Sequence, residues 1–224
     1  MKLLFVLVML TAEAAGLEDL SGKMFTFPVQ NNKAHVRLTT SQQGLNAVTV
    51  CHRSFTDLKR NHVLFSMSTN LFSNEFLTFW DETNKELEIH VKDVKNEYRG
   101  LNYKPNMWHS VCGTWDSVSG LVQLWFNGQP LIRKFATSGS QMTGKSIIIL
   151  GQEQDSHGGG FDNNQAFVGM MSDVHMWDYT LSTCEIQKYM DDLNFTPGNM
   201  LNWRAMEYEI TDKVLLEDKM KLCQ

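Results

Sequence analysis

His109-Ser110-Val111-Cys112-Gly113-Thr114-Trp115-Asp116-Ser117 places a cysteine, a tryptophan and three hydroxyl residues at fixed offsets in one strand-length run. Side chains on a strand alternate between faces, so Cys112 and Thr114 share one face while His109, Val111 and Trp115 take the other. The run reads as a core strand with one disulfide cysteine; it identifies a fold, and chemistry has to be sought elsewhere. Working outward, similar short runs recur. Ala34 to Thr40, Ala47 to Arg53, His62 to Ser68, Phe76 to Trp80, Leu87 to Val91 and Trp108 to Trp115 are predicted strands, as are Leu121 to Phe126 and Ile147 to Leu150. Ala166 to Met170, Asp173 to Trp177 and Ala205 to Ile210 complete the set. Asn127-Gly128, between Leu121–Phe126 and Leu131–Phe135, is a two-residue hairpin turn, because both positions tolerate positive φ. Many short strands at this spacing predict a β-sandwich.

One helix interrupts the strands. Ser182 followed by Glu185 forms a capping box, in which the serine accepts from a free backbone N–H and the glutamate reaches back to the cap. Ile186, Tyr189, Met190 and Leu193 then fall at i, i+3, i+4 and i+7, an apolar stripe suited to packing on a sheet face. A partner-binding helix is the sharper alternative. Pro197-Gly198 ends the segment.

The chain opens with Lys2, an apolar run from Leu3 to Leu10, and the small residues Ala12, Ala14, Ala15 and Gly16. This is the pattern of a cleavable secretory signal, with Ala14 and Gly16 at −3 and −1. The run is too short to span a bilayer, which needs about twenty apolar residues. Residues 1–16 are therefore expected to be removed, leaving residues 17–224 as one secreted, soluble domain without a linker, repeat or low-complexity tract. Lys and Arg number 20 against 25 Asp and Glu. That balance, with no basic stripe, argues against a nucleic-acid partner. The 4 cysteines of a secreted chain point to disulfides, with the pairing open. The 13 methionines show no cofactor spacing.

Acidic chemistry gathers after Ile147–Leu150. If that strand continues, Glu153 and Asp155 project from one face, and two adjacent anions repel unless a cation sits between them. Ser156-His157-Gly158-Gly159-Gly160 is flexible enough to fold back and return Asp162 and Gln165 to the same cluster. Carboxylates, an amide oxygen and carbonyls, without a cysteine or histidine set, suit a hard cation, and outside cells that is Ca²⁺. His157 is read as exposed, and His90 and His175 as core or surface residues.

Several motifs together resemble the short pentraxin family, the group of C-reactive protein and serum amyloid P component. Cys112-x-Thr114-Trp115-x-Ser117 with the preceding His109 is similar to its signature. Leu20-Ser21-Gly22-Lys23 resembles its opening, Gly151-Gln152-Glu153-Gln154-Asp155-Ser156 its calcium loop, and Leu201-Asn202-Trp203-Arg204-Ala205 its closing region. The resemblance covers nearly all of residues 17–224. It implies an all-β, two-sheet antiparallel jelly-roll sandwich of concanavalin/laminin-G type, with one long α-helix on a sheet face. It also pairs Cys51 with Cys112. That bridge closes a loop of about 60 residues and contributes roughly 4 kcal/mol on the chain-entropy argument. Cys184 and Cys223 have no family counterpart; they pair with each other, or Cys223 pairs between subunits.

The same resemblance implies two calcium ions per subunit. Glu153 and Asp155 would bridge both, Gln154 would offer its backbone carbonyl, and Asp162 and Gln165 would complete the more exposed ion. Asn74 matches the second member of the family's Asp-Asn ligand pair. Ser73 stands where the aspartate is expected, which weakens the inner ion. Exposed ions with incomplete shells accept a ligand's anionic oxygens, hence calcium-dependent binding of phosphocholine and related phosphorylated or carbohydrate surfaces. Phe79 aligns with the aromatic wall that attracts a choline cation. The family's acidic partner for that cation has no clean match, and Asp93 or Glu97 is the candidate substitute. His90 falls near a position that is usually small. Phosphoethanolamine, polysaccharides and cyclic acetals remain alternative ligands. Family resemblance further implies innate-immune pattern recognition, acute-phase behaviour, complement and Fc receptor partners, and a cyclic homo-oligomer, commonly a pentamer. Asn194-Phe195-Thr196 is a glycosylation sequon.

Two other classes compete. A jelly-roll glycoside hydrolase would use Glu153 and Asp155 about 5 Å apart as acid and nucleophile. The glycine-rich loop suits ion capture better than a sugar cleft, so no enzymatic activity is expected. A laminin-G-like adhesion module is the other, and the signal segment without flanking domains favours a free-standing protein.

Overall fold

Strand alternation builds the protein from its opening stretch outward. In a computed structural model describing residues 16–40 and 44–220, that stretch lies in β8 (Met107–Asp116). It pairs antiparallel with β3 (Ala47–Thr56), in a register that sets Cys112 opposite Cys51. Around this pair the first sheet runs β10 (Gln129–Phe135), β9 (Leu121–Phe126), β8, β3, β12 (Gly169–Trp177), β1 (Lys23–Phe27) and β14 (Leu215–Asp218). The second runs β13 (Tyr208–Thr211), β2 (His35–Leu38), β11 (Ile147–Leu150), β4 (His62–Ser68), β5 (Phe76–Asp81), β6 (Glu86–Val91) and β7 (Val94–Arg99). Neighbouring strands in both sheets are antiparallel, as in a sandwich whose inner faces interdigitate.

Val111 and Trp115 lie in the core between the sheets, with Phe76 and Ile89 facing them from the second sheet. Gly113 lies on the same face, and the sheets approach too closely there for any side chain. A Cβ would stand 2.8 Å from Ile89 Cδ1 and 3.0 Å from Phe76 Cζ. The other face of β8 carries Cys112, joined to Cys51 by the disulfide that the resemblance implies. His109 is structural: its ring stacks on Tyr103 and Phe126, and its nitrogens meet Lys104 and Asn127.

The helix is shorter than the stripe implies. α1 (Thr183–Met190) spans 8 residues and buries Ile186 and Tyr189 against the disulfide, Trp125, Trp177 and Leu181. Leu193 lies beyond its end and is exposed. Only half of the capping box forms. Ser182 Oγ accepts from Glu185 N–H, but the Glu185 carboxylate accepts from Lys188 Nζ and from Thr196 N–H, tethering the chain that leaves the helix.

Other boundaries also shift. The two strands expected at 166–170 and 173–177 are one, β12, with a register irregularity between Ser172 and His175 where Asp173 adopts φ 54°. β1, β7 and β14 were not expected. Asn127-Gly128 forms its hairpin with φ of 47° and 82°. Residues 1–15 of the expected signal segment (1–16) and Cys223 lie outside the described residues. Cys184 is exposed and makes no disulfide among them. No described helix is long and apolar enough to cross a membrane.

Candidate metal centre

β11 does not continue through the acidic residues. Gly151 turns the chain at φ 92°, where a Cβ would meet the Phe27 ring at 2.4 Å. The segment then folds over the outer face of the second sheet, anchored by its glutamines. Gln152 Nε2 donates to Asn31 O and Ala34 O. Gln154 Nε2 donates to Ser66 O and Ile147 O, while its Oε1 accepts from Ser68 Oγ and Gly158 N–H. With its side chain so engaged, Gln154 has its main-chain carbonyl to offer a ligand shell. The glycines then return the chain. Ser156 and Gly159 exchange backbone hydrogen bonds, and Gly160 passes so near Asp155 that a Cβ would fall 2.8 Å from Asp155 Cβ. Gln165 N–H donates to Asp162 O, and Gln165 O accepts from Val63 N–H on β4.

The expected fold-back is therefore present, although a loop and not a strand carries Glu153 and Asp155. Glu153 is 4% exposed. Its carboxyl is pushed up to about 7, first by burial and then by contact with Asp155 and the negative charges of Asp162 and Asp93. A second turn closes the corner. Ser73 Oγ donates to Asp155 O at 3.0 Å, and Asn74 N–H donates to Asp93 Oδ1 at 2.9 Å. Three buried side-chain oxygens in this corner accept no hydrogen bond: Asn74 Oδ1, Glu153 Oε2 and Gln165 Oε1. Unpartnered buried acceptors are costly in an otherwise satisfied fold. A hard divalent cation relieves both deficits, since it binds oxygens and offsets their charge. The donors present fit Ca²⁺. His157 is exposed, as expected, with Nδ1 3.4 Å from Ser68 Oγ.

A different carboxylate group, Asp81, Glu86 and Glu88, has oxygens within 4.8 Å of one another and forms a cluster able to hold a metal. The chain's own cations already occupy it. Lys95 Nζ lies 3.5 Å from Glu86 and 3.2 Å from Glu88, Arg99 Nε lies 2.6 Å from Glu86, and His90 bonds Glu88. Asp81 meanwhile accepts from Thr83 and Asn84. This is an ion ladder across β5, β6 and β7, and the corner at Glu153 is the better metal candidate.

The ladder borders Phe79, which is only 7% exposed and lies opposite Glu88 on β6. Asp93 and Glu97, the expected acids for a choline cation, go elsewhere. Asp93 sits against Asn74, and Glu97 pairs with Lys95 and Arg99. Sequence reasoning missed Glu88 and the position of Asp93. The charges at alternate positions, Glu86-Glu88-His90 and Lys95-Glu97-Arg99, around a two-residue Lys92-Asp93 turn, were the signal that could have found both.

Residues 23–218 match the Pentaxin family. Serum amyloid P-component of Rattus norvegicus is 37% identical over 217 residues, covering 96% of this chain and 93% of that protein. C-reactive protein of Rattus norvegicus is 38% identical over 222 residues, covering 98% and 95%. Among solved structures, the native heptameric SAP-like pentraxin from Limulus polyphemus superposes with TM-score 0.81 at 25% identity, covering 89% of this chain and 96% of that one.

Proposed function

The chain belongs to the pentraxin family, and on that premise we propose that it is a secreted, calcium-dependent binder of phosphorylated or carbohydrate head groups. Family membership makes it a non-enzymatic, lectin-like pattern-recognition protein, so a hydrolase role for Glu153 and Asp155 falls away. The observation that carries the finer reading is the set of three unpartnered buried oxygens, on Asn74, Glu153 and Gln165, beside carboxylates that crowd Glu153.

In this reading Asn74, Glu153, Asp155, Asp162, Gln165 and the Gln154 carbonyl hold two calcium ions. Ser73, whose hydroxyl is tied to Asp155 O, contributes little to the inner one. Bound calcium supplies positive charge for a ligand's phosphate oxygens, and phosphocholine leads the candidates. Phe79, with Glu88 across from it, borders the position of the ligand's cationic end. Relatives named both C-reactive protein and serum amyloid P-component match about equally, which keeps phosphoethanolamine and polysaccharides as alternatives. Removal of residues 1–16, a cyclic homo-oligomer (pentameric in this proposal), glycosylation of the exposed Asn194, and complement and Fc receptor partners complete it.

The protein is expected to be retained on immobilised phosphocholine in millimolar Ca²⁺ and released by chelator. Retention that chelator leaves unchanged would refute calcium bridging. Glu153→Ala is expected to abolish calcium-dependent protection of residues 151–165 from proteolysis, and equal cleavage of parent and variant in both buffers would remove Glu153 from the ligand set.

A further inference from the structure

The turn between β6 and β7 is made by Lys92 and Asp93, both in the left-handed region at φ 51° and 61°. Its backbone is bound to the metal corner: Lys92 N–H donates to Glu75 O at 3.1 Å and Asp93 N–H to Asn74 O at 3.0 Å. The Asp93 carboxylate closes the clamp by accepting Asn74 N–H on Oδ1. Asp93 is thus held on both sides to the residue whose own Oδ1 is buried without a partner. Its negative charge reaches Glu153, whose Oε2 is likewise unpartnered in a side chain 4% exposed. The neighbouring Lys92 does not neutralise it, because its ammonium donates to Ser140 O, Ser140 Oγ and Gln141 O. No ion pair engages Asp93 among the described residues.

We propose that Asp93 belongs to the cation-binding set of this corner, supplying from the β6–β7 hairpin the carboxylate charge that Ser73 does not. The inference rests on the calcium reading above. Turn geometry alone does not call for an aspartate, since asparagine tolerates the left-handed region equally well and offers the same acceptor to Asn74 N–H. Anionic charge is the property that asparagine lacks, and calcium affinity is set largely by ligand charge.

Asp93→Asn separates the two roles, because it keeps the turn and the hydrogen bond and removes the charge. Calcium titration of the full chain, by calorimetry or by displacement of luminescent Tb³⁺, is expected to show affinity about tenfold weaker than the parent, equivalent to about 1.4 kcal/mol. Glu97→Gln makes the same charge change on the same hairpin away from Asn74 and is expected to shift affinity less than twofold. Equal affinity of Asp93→Asn and parent, while Glu153→Gln loses binding, overturns the assignment alone. An equal loss in Glu97→Gln reduces the effect to net charge and also overturns it. A parent that takes up no Ca²⁺ at millimolar concentration overturns the calcium reading and Asp93 with it.

Discussion

Over the first sheet, α1 lays Ile186 and Tyr189 on the Cys51–Cys112 bridge, with Trp125, Trp177 and Leu181 filling the layer. Over the second, the segment after β11 lays Glu153 and two glutamine side chains on the strands, with Asp155 at its exposed edge. Both covers bury polar groups, but they settle them differently. Under the helix, Thr49 Oγ1 donates to Tyr179 O and accepts from Leu181 N–H, Tyr189 OH donates to Asp173 O, and Arg53 Nη2 donates to Tyr189 O. Trp125 Nε1 and Arg53 Nε, both donors, are the exceptions. In the acidic corner the unpartnered atoms are all acceptor oxygens, which a cation satisfies and a further hydrophobic contact does not. Apolar cover with paired polar atoms stabilises outright, whereas oxygen-rich cover reaches full stability only with a bound cation. On the proposed calcium reading, one outer face serves stability and the other ligand chemistry.

Removing the bridge breaks that contrast hardest. Cys51→Ala with Cys112→Ala frees a loop of separation 61 and is expected to lower stability by about 4 kcal/mol in denaturant unfolding. Calcium affinity of the folded fraction should stay within twofold of the parent. A parallel loss of calcium binding would mean that the two faces are coupled through the core, and the division of roles would fail.

Acidification separates the acidic corner from the rest of the fold by sign. Burial holds His52 near pKa 3 and His62 and His175 near 4, all below the ordinary imidazole value. The unfolded chain then takes up protons before the folded one does, so their contribution is present above about pH 6.5 and is lost as pH falls toward 4. At pH 5.5 this costs about 1 kcal/mol per histidine. Glu153 behaves oppositely. Its folded pKa, about 7, lies above the unfolded value, so in chelator its crowding is relieved as pH falls from 7 toward 4.5. Global stability in chelator is expected to drop between pH 7.5 and 5.5, while hydrogen-exchange protection of residues 151–165, normalised for intrinsic rates, rises. Protection that falls together with global stability would show that the acidic corner is not under charge strain.

Much of the helix-covered face was legible in the sequence, because its determinants are local: Ser182 at the cap, Ile186 and Tyr189 on one stripe, Asn127-Gly128 at a hairpin. The pairing of Cys51 with Cys112 came from family resemblance. The acidic corner was legible as composition and spacing, but its geometry was not. Alternation along the sequence puts Glu153 and Asp155 on a continuing strand, whereas Gly151 ends it, forced by the approach of Phe27 from a distant part of the chain. β7 was missed because Lys95, Glu97 and Arg99 charge one face while Asn96 interrupts the other beside Tyr98, and the partners of those charges lie on β6, which only the folded register supplies. The Lys92-Asp93 turn has no glycine to announce it. Asp93 reaches Asn74 through pairing invisible to any local window.

The smallest expected effect is at the helix cap. Ser182 Oγ accepts Glu185 N–H at 3.3 Å, and the reciprocal glutamate bond is absent because Glu185 holds Lys188 and Thr196 instead. Ser182→Ala therefore removes a single cap hydrogen bond at the first turn of an eight-residue helix, with an expected loss of about 1 kcal/mol. A helix this short has little stability of its own and depends on Ile186 and Tyr189 for its place, so the loss should appear as faster exchange of the α1 amides before any change at β8. Calcium affinity should not change. If Ser182→Ala instead destabilised the whole sandwich by several kcal/mol, α1 would be part of the cooperative core, and the helix-covered face would owe its stability to the cap as well as to the disulfide and the aromatic layer beneath it.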